Sequence, residues 1–259
     1  MYLKNNTIIN TKKKILKTSH LSKEGHIASS FSVLNILNVL VKYFLFKNRK
    51  YLNNFILSKG HASLGFYAIL NQEKYISDNK FYKFASFKSQ LGGHPKRNES
   101  IFTTASTGSL GHGLPILTGM AFASKNLHKK NKKFFVLMGD QECNEGTIWE
   151  SLLLCSHYKL NNITIIIDRN FSRESDLSLG DLAGKLSTFS KNIFKVDGHD
   201  EKKLLYLFNK KNKSQTPKII IANTIKGFGS KIIEGDNSWH HKYPKNKLEL
   251  EQLARTIKY

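Results

Sequence analysis

The feature that most constrains this chain is an alternation: short apolar runs, each closed by glycine or small polar residues, take turns with longer segments of helical period. Phe55, Ile56 and Leu57 stop at Ser58, Lys59, Gly60 and His61, and Leu64 to Leu70 then reads as a helix. A helix follows Gly111, a strand spans Phe134 to Met138, a helix Thr147 to Tyr158 and a strand Ile163 to Ile167. The order continues with an apolar segment near Ile193 to Val196, a helix over Glu201 to Asn209, and the run Lys218 to Ala222 before a glycine-rich turn. Ahead of them all, Ser30 to Phe46 carries Phe31, Leu34, Leu37, Leu40, Val41 and Phe44 at spacings that merge into one wide helical face. Strands that are apolar throughout, alternating with helices, predict an α/β three-layer sandwich with a mostly parallel central sheet flanked by helices. One domain over residues 1–259 with irregular ends is expected.

In such a sheet, ligands bind beyond the carboxyl ends of the strands, where helix amino termini also converge. The informative residues fall there. His61 follows the first run, Gly139 and Asp140 the second, Asn170 the third, and Gly227 and Gly229 the last. Asp140 and Asn170 close two runs about thirty residues apart joined by one helix, the spacing of a βαβ unit that sets neighbouring strands side by side. Paired oxygen side chains of this kind suit a hard divalent ion together with phosphate oxygens. Taken alone, however, Asp and Asn are also ordinary punctuation after a strand.

The net charge of +22 raises the question of nucleic acid. The lysines are spread along the whole chain, and the runs at Lys12 to Lys14, Lys129 to Lys133 and Lys210 to Lys213 lack an interleaved aromatic stripe, so they read as a solvated surface. No apolar run approaches the roughly 18 residues of a membrane span, and Met1 to Lys17 has no apolar core of a signal peptide. A cytoplasmic protein with no membrane partner is expected. Cys143 and Cys155 are too few for a disulfide framework and are expected to be reduced and partly buried.

The segment Gly139, Asp140, Gln141, Glu142, Cys143, Asn144, Glu145, Gly146, continuing to Asp168, Arg169 and Asn170, resembles the thiamine-diphosphate motif, which opens Gly-Asp-Gly and closes on Asn. Thr18 to Ser30 with Gly25 and His26, Leu57 to Ser63, and Gly92 to Pro95 resemble the three histidine segments of the transketolases. Thr107 to Gly113 resembles their glycine loop, and Thr224 to Gly229 with Trp239 and His240 their last segment. These five ordered segments, together with the thiamine-diphosphate motif, identify the chain as similar to the amino-terminal, diphosphate-binding half of a transketolase. Two departures stand out: Gln141 replaces the second glycine of the motif, where a positive φ would strain it, and Ile27 and Ala28 replace Pro-Gly after His26.

The resemblance implies thiamine diphosphate as cofactor, with Mg2+ or another divalent cation such as Ca2+ or Mn2+. The implied metal ligands are Asp140, Asn170 and the backbone carbonyl of Ser172. The Gln141 amide would reach a phosphate, with Gly139 and His61 near the diphosphate and Gly108, Ser109 and Leu110 near the thiamine rings. His26 and His240 would move protons at the donor hydroxyl and acceptor carbonyl, while His61 and His94 would contact the diphosphate or the transferred fragment. His240 is also counted among the cofactor-binding residues. Glu145 and Glu150 would belong to an acidic network near the subunit interface. The pyrimidine-binding and C-terminal domains are expected on a separately encoded transketolase C-terminal subunit, in a two-plus-two assembly that transfers a two-carbon ketol unit between sugar phosphates. The competing readings are a subunit of a deoxyxylulose-phosphate synthase and a basic nucleic-acid-binding protein. Lys96 after His94 and Pro95, with Glu145, Gly146 and Trp149, favours transketolase over the synthase.

Overall fold

The computed structural model describes residues 5–45, 54–98, 102–130, 132–171 and 177–258. Five strands, β1 (Phe55–Leu57), β2 (Phe134–Gly139), β3 (Ile163–Arg169), β4 (Ile193–Asp197) and β5 (Lys218–Asn223), form one sheet in the order β1-β2-β3-β5-β4, all parallel. Every strand expected from the sequence is present, most of them extended by a residue or two at the carboxyl end. The helices are α1 (Asn5–Ser22), α2 (Ile27–Leu40), α3 (Ser63–Gln72), α4 (Asp78–Phe81), α5 (Gly113–Phe122), α6 (Gly146–His157), α7 (Leu182–Leu186), α8 (Glu201–Asn209) and α9 (Lys247–Arg255).

The two-residue period of the strands builds two separate apolar layers. Leu57, Phe135, Leu137, Ile166 and Ile220 face one layer, shared with α1, α2, α3, α8 and α9. Ile56, Val136, Met138, Ile165, Ile167, Ile219 and Ile221 face the other, shared with α5, α6 and α7. Because both faces are covered, β2 and β5 are buried almost throughout, whereas edge strand β4 is largely half-exposed or exposed and carries Lys195 and Asp197 outward.

Two expectations need correction. The ends are helical rather than irregular, since α1 and α9 pack against each other and α1 also packs against α2 and α3. Lys12 is not a surface lysine: it is fully buried on α1, its amine 4.9 Å from the Phe228 ring centre and 5.7 Å from that of Phe31. Burial brings its pKa down to about 8 against the pull of Glu234. Helix α2, with the π-helical turn Val41–Leu45 that continues it, is long and apolar enough to cross a bilayer by length and composition. It instead lies inside the protein, buried on nearly every side of α2.

Candidate active site

The carboxyl ends of β1, β2, β3 and β5 open on one edge, and the loops there carry the predicted site residues. His26 immediately precedes α2 with φ 65 and ψ 22, a left-handed conformation that histidine adopts at some cost. His61 lies in the 3-10 turn Gly60–Ala62 after β1. His94 stands on the long loop before α5; a Cβ on Gly60 would come within 3.0 Å of its ring and 3.1 Å of the Gly108 amide. That close approach seats the third histidine loop and the glycine loop on the second histidine segment. His240 ends the turn Asn237–His240 beyond β5.

The four histidines converge. The His26 ring centre lies 5.3 Å from that of His61, 6.2 Å from His94 and 5.5 Å from His240, and His61 lies 5.8 Å from His240. His241 joins them, 4.6 Å from His26 and 4.4 Å from His240. Desolvation, and then the charge of neighbouring His241, His94, Lys226 and Lys59, lowers the pKa of His26 to about 4. Desolvation and Lys59 push His61 well below its ordinary value as well. Both are therefore neutral imidazoles at physiological pH, able to accept a proton or a hydrogen bond. His240 holds the Lys226 amine through Nδ1 at 2.6 Å. His112 stands apart, exposed before α5 with Nδ1 against the Leu110 carbonyl.

The oxygen side chains stand at the ends of β2 and β3, joined to the segment bearing His61 by Lys59, whose stem passes 3.6 Å from a Cβ placed on Gly139 and whose ammonium reaches Asp168. Register pairs Gly139 with Asp168, so Asp140 and Asn170 emerge from adjacent strand ends. The Phe171 amide donates to Asp140 Oδ2 at 3.1 Å, which fastens the end of β3 to Asp140. Asp140 is 3% exposed, and burial first, then neighbouring Asp168, raises its pKa to about 6. The Lys59 ammonium pairs with Asp168 rather than Asp140. A buried carboxyl of this kind, short of positive charge and next to an amide oxygen, fits a hard divalent ion. Asn170 donates through Nδ2 to Asp168 at 3.0 Å, which makes Oδ1 the atom such an ion would take. Ser172 lies outside the described residues.

Gln141 sits inside the 3-10 turn Asp140–Asn144 and is not among the positive-φ residues, so the missing glycine leaves no strain there. Its amide donates to Asp140 Oδ1 at 2.9 Å. Gly108, Ser109 and Leu110 form an exposed lip, with Leu110 41% exposed, a bare apolar surface suited to an aromatic ring. Glu145 is half-buried near the start of α6, against the Gly111 turn, and Glu150 is exposed on the same helix.

Sequence reasoning passed over the groups that hold this edge together. Asp168, fully buried, accepts from the Lys59 ammonium, the Thr224 hydroxyl, the Ser32 hydroxyl at 2.9 Å and the Asn170 amide. Burial alone would raise its pKa, but the Lys59 charge and these hydrogen bonds prevail and hold it below the usual value. Glu142, 2% exposed, accepts the Ser58 hydroxyl at 2.5 Å, the Gly139 amide at 2.9 Å and the Gly111 amide at 3.1 Å, and so ties three motif loops together. His199 stacks on Phe228 with ring centres 3.5 Å apart and accepts the Ile225 amide at 2.9 Å, which steadies the loop bearing Lys226. Lys59, Glu142 and Lys226 each lie within a motif segment; the missed signal was a charged residue adjoining a buried strand end.

Residues 5–256 match the family model for the transketolase, thiamine diphosphate binding domain. The chain is 35% identical over 243 residues to an apulose-4-phosphate transketolase subunit of Actinobacillus succinogenes, covering 88% of this chain and 87% of that one. It is 32% identical to the subunit of the same name from Phocaeicola vulgatus, covering 95% and 90%. Against the transketolase of Homo sapiens the identity is 34%, over 87% of this chain but 37% of that protein. The solved transketolase of Leishmania mexicana shares the fold, with a TM-score of 0.83 at 20% identity over 99% of this chain and 41% of that one. The chain thus spans nearly all of the separate subunits and about two fifths of the longer enzymes. It belongs to the transketolase family, as a thiamine-diphosphate-binding amino-terminal subunit.

Proposed function

We propose that this subunit holds the diphosphate end of thiamine diphosphate with a divalent ion of the magnesium class, and joins a complementary subunit to transfer a two-carbon ketol unit between sugar phosphates. The single observation that carries this reading is the convergence of His26, His61, His94 and His240 in the loops of the sheet edge whose adjacent strand ends carry the buried Asp140 and Asn170. Asp140 Oδ and Asn170 Oδ1 would hold the cation, with the Ser172 carbonyl as the third protein ligand. The cofactor, when bound, supplies an electron sink for cleavage of the carbon–carbon bond beside a ketose carbonyl.

This chain's own groups do the rest. Lys226 anchors His240 through Nδ1, so the proton that His240 handles is carried at Nε2. Neutral His26 acts as an acceptor, because its depressed pKa leaves the ring unprotonated at working pH. Lys226, almost fully buried, adds positive charge for anionic phosphates at this end of the sheet, whereas the Lys59 charge is balanced by Asp168. The lip at Gly108 to Leu110 offers the thiamine rings an apolar seat.

The partner is a separately encoded polypeptide carrying the pyrimidine-binding domain, in an assembly of two copies of each. The relatives named as transketolase subunits support a divided enzyme, and their name makes apulose 4-phosphate the first donor to assay. The test combines this chain with the complementary subunit, thiamine diphosphate and Mg2+. Ketol transfer is expected from the pair and not from this chain alone. Substantial turnover by this chain alone would overturn the divided-enzyme reading, and use of pyruvate as donor would point to a synthase instead.

A further inference from the structure

His26, His240 and His241 each offer one ring nitrogen, and these three atoms lie within 4.8 Å of one another. We propose that they form a binding site for a borderline transition ion of the Zn2+ class, separate from the oxygen ligands at Asp140 and Asn170, and that occupation of this site silences the enzyme. The binding stands on geometry alone, whereas the silencing rests on the proton-transfer roles given above to His26 and His240.

Tetrahedral zinc with Zn–N distances of about 2.0–2.1 Å sets neighbouring nitrogens roughly 3.3 Å apart. The three nitrogens must therefore close by up to about 1.5 Å. His241 is exposed and the other two are half-buried, so side-chain rotation can supply that movement. The backbone beneath is already fixed. A Cβ on Gly25 would fall 2.4 Å from the His241 carbonyl oxygen, so the loop bearing His26 lies directly against the one bearing His241. The left-handed conformation of His26 is the kind of local strain that persists where surrounding structure holds a functional group in place.

Donor type separates this site from the other one. Three imidazole nitrogens suit zinc, cobalt or nickel and are poor ligands for Mg2+, which prefers the carboxylate and amide oxygens at Asp140 and Asn170. With Nδ1 held against the Lys226 amine, His240 ligates through Nε2, whose proton is released to solvent as the ion binds. The lone pairs of His26 and His240 are meanwhile taken by the metal and unavailable to substrate protons.

His241 has no part in the proposed reaction, which makes it the diagnostic position. The full metal-free chain is titrated with Co2+, read by its ligand-field absorption, and with Zn2+ in competition with a colorimetric chelator. The wild type is expected to bind one ion with the spectrum of a nitrogen-ligated, low-coordinate centre, and His241→Ala to bind at least about tenfold more weakly. Asp140→Ala should leave the Co2+ spectrum intact. Equal Co2+ affinity in wild type and His241→Ala, or a spectrum lost in Asp140→Ala, would overturn the site. In the assembled enzyme, His241→Ala should raise the inhibitory Zn2+ concentration, measured against its own zinc-free rate, by the same factor. Zinc inhibition unchanged by that substitution would overturn the silencing role. Because the Co2+ titration needs neither substrate nor partner, its outcome stays separate from any failure of the ketol-transfer reading.

Discussion

Asp140 places a measurable penalty on the metal-free protein. Its carboxyl is 3% exposed, and burial with neighbouring Asp168 raises its pKa from the ordinary 3.8 to about 6. At roughly 1.4 kcal/mol per pH unit, ionised Asp140 weakens the fold by about 3 kcal/mol. The sign follows from linkage. Between pH 3.8 and about 6 the folded state binds more protons at this group than the unfolded chain does, so this contribution to stability falls as pH rises through that window and is level above it.

The perturbation is Asp140→Asn, measured by urea unfolding without divalent ions at about pH 5 and about pH 7.5, an interval that contains roughly half of the penalty. Asparagine cannot accept both the Gln141 and the Phe171 amides as the carboxylate does, so its absolute stability carries a separate loss of about 1–3 kcal/mol. That loss does not depend on pH. His26 and His199, whose pKa values are lowered chiefly by burial to about 4, pull stability the other way: they contribute fully above pH 6.5, and their contribution is lost as pH falls toward 4. Their effect is common to both proteins and cancels in the comparison. The variant should therefore gain about 1.5 kcal/mol relative to wild type on going from the lower to the higher pH. Identical pH dependence in the two proteins would refute the electrostatic account. A parallel check adds Mg2+ with thiamine diphosphate, which should stabilise the wild type and do much less for the variant.

Two further substitutions examine the supports of the same edge. Lys59→Met strips the fully buried Asp168 of its counter-charge and should lower stability by about 3–5 kcal/mol; adding Asp168→Asn should recover part of that loss, and strictly additive effects in the double-mutant cycle would show that the pair is not coupled. Gly111→Ala places a methyl 2.6 Å from the Glu145 Cβ at a φ of +76, so a cost of about 1–3 kcal/mol and weaker cofactor binding by calorimetry are expected, and wild-type values of both would contradict the reading of this turn.

The parts of the fold legible from sequence are those whose signal is local. Strands β2, β3 and β5 announce themselves because a sheet covered on both faces demands apolar residues in succession, and β-branched runs leave little else for the segment to become. Helix α1 is hidden for a physical reason. Its buried positions among the described residues, Ile8, Thr11, Lys12, Ile15, Leu16, Thr18 and Ser19, keep the helical spacing, but four of the seven are polar and break the apolar stripe. The burial of Lys12 is eased by groups distant in sequence: the rings of Phe31 and Phe228 stand beside its amine, and the charge of Glu234 favours its protonated form.

The same division runs through the site. Asp140, Asn170 and His61 stand at strand ends, where topology displays them, so they are legible without knowledge of their surroundings, whereas His26, His94 and His240 are legible only through the family motifs. Residues that hold those groups in place depend on which side of the sheet a side chain takes. Asp168 shares the parity of Ile166 on β3, and Thr224 continues that of Ile220 and Ala222 on β5, so both point under α2, where Ser32 and Lys59 meet them. Strand alternation therefore contained half of that network, namely which face Asp168 takes. What it lacked was the lysine, 109 positions away, that makes a carboxylate tenable there. An acidic residue on the covered face of a buried strand is thus a demand for a partner, and the basic residue just past the end of β1, two strands along the sheet and inside a glycine-histidine segment, is where that partner stands.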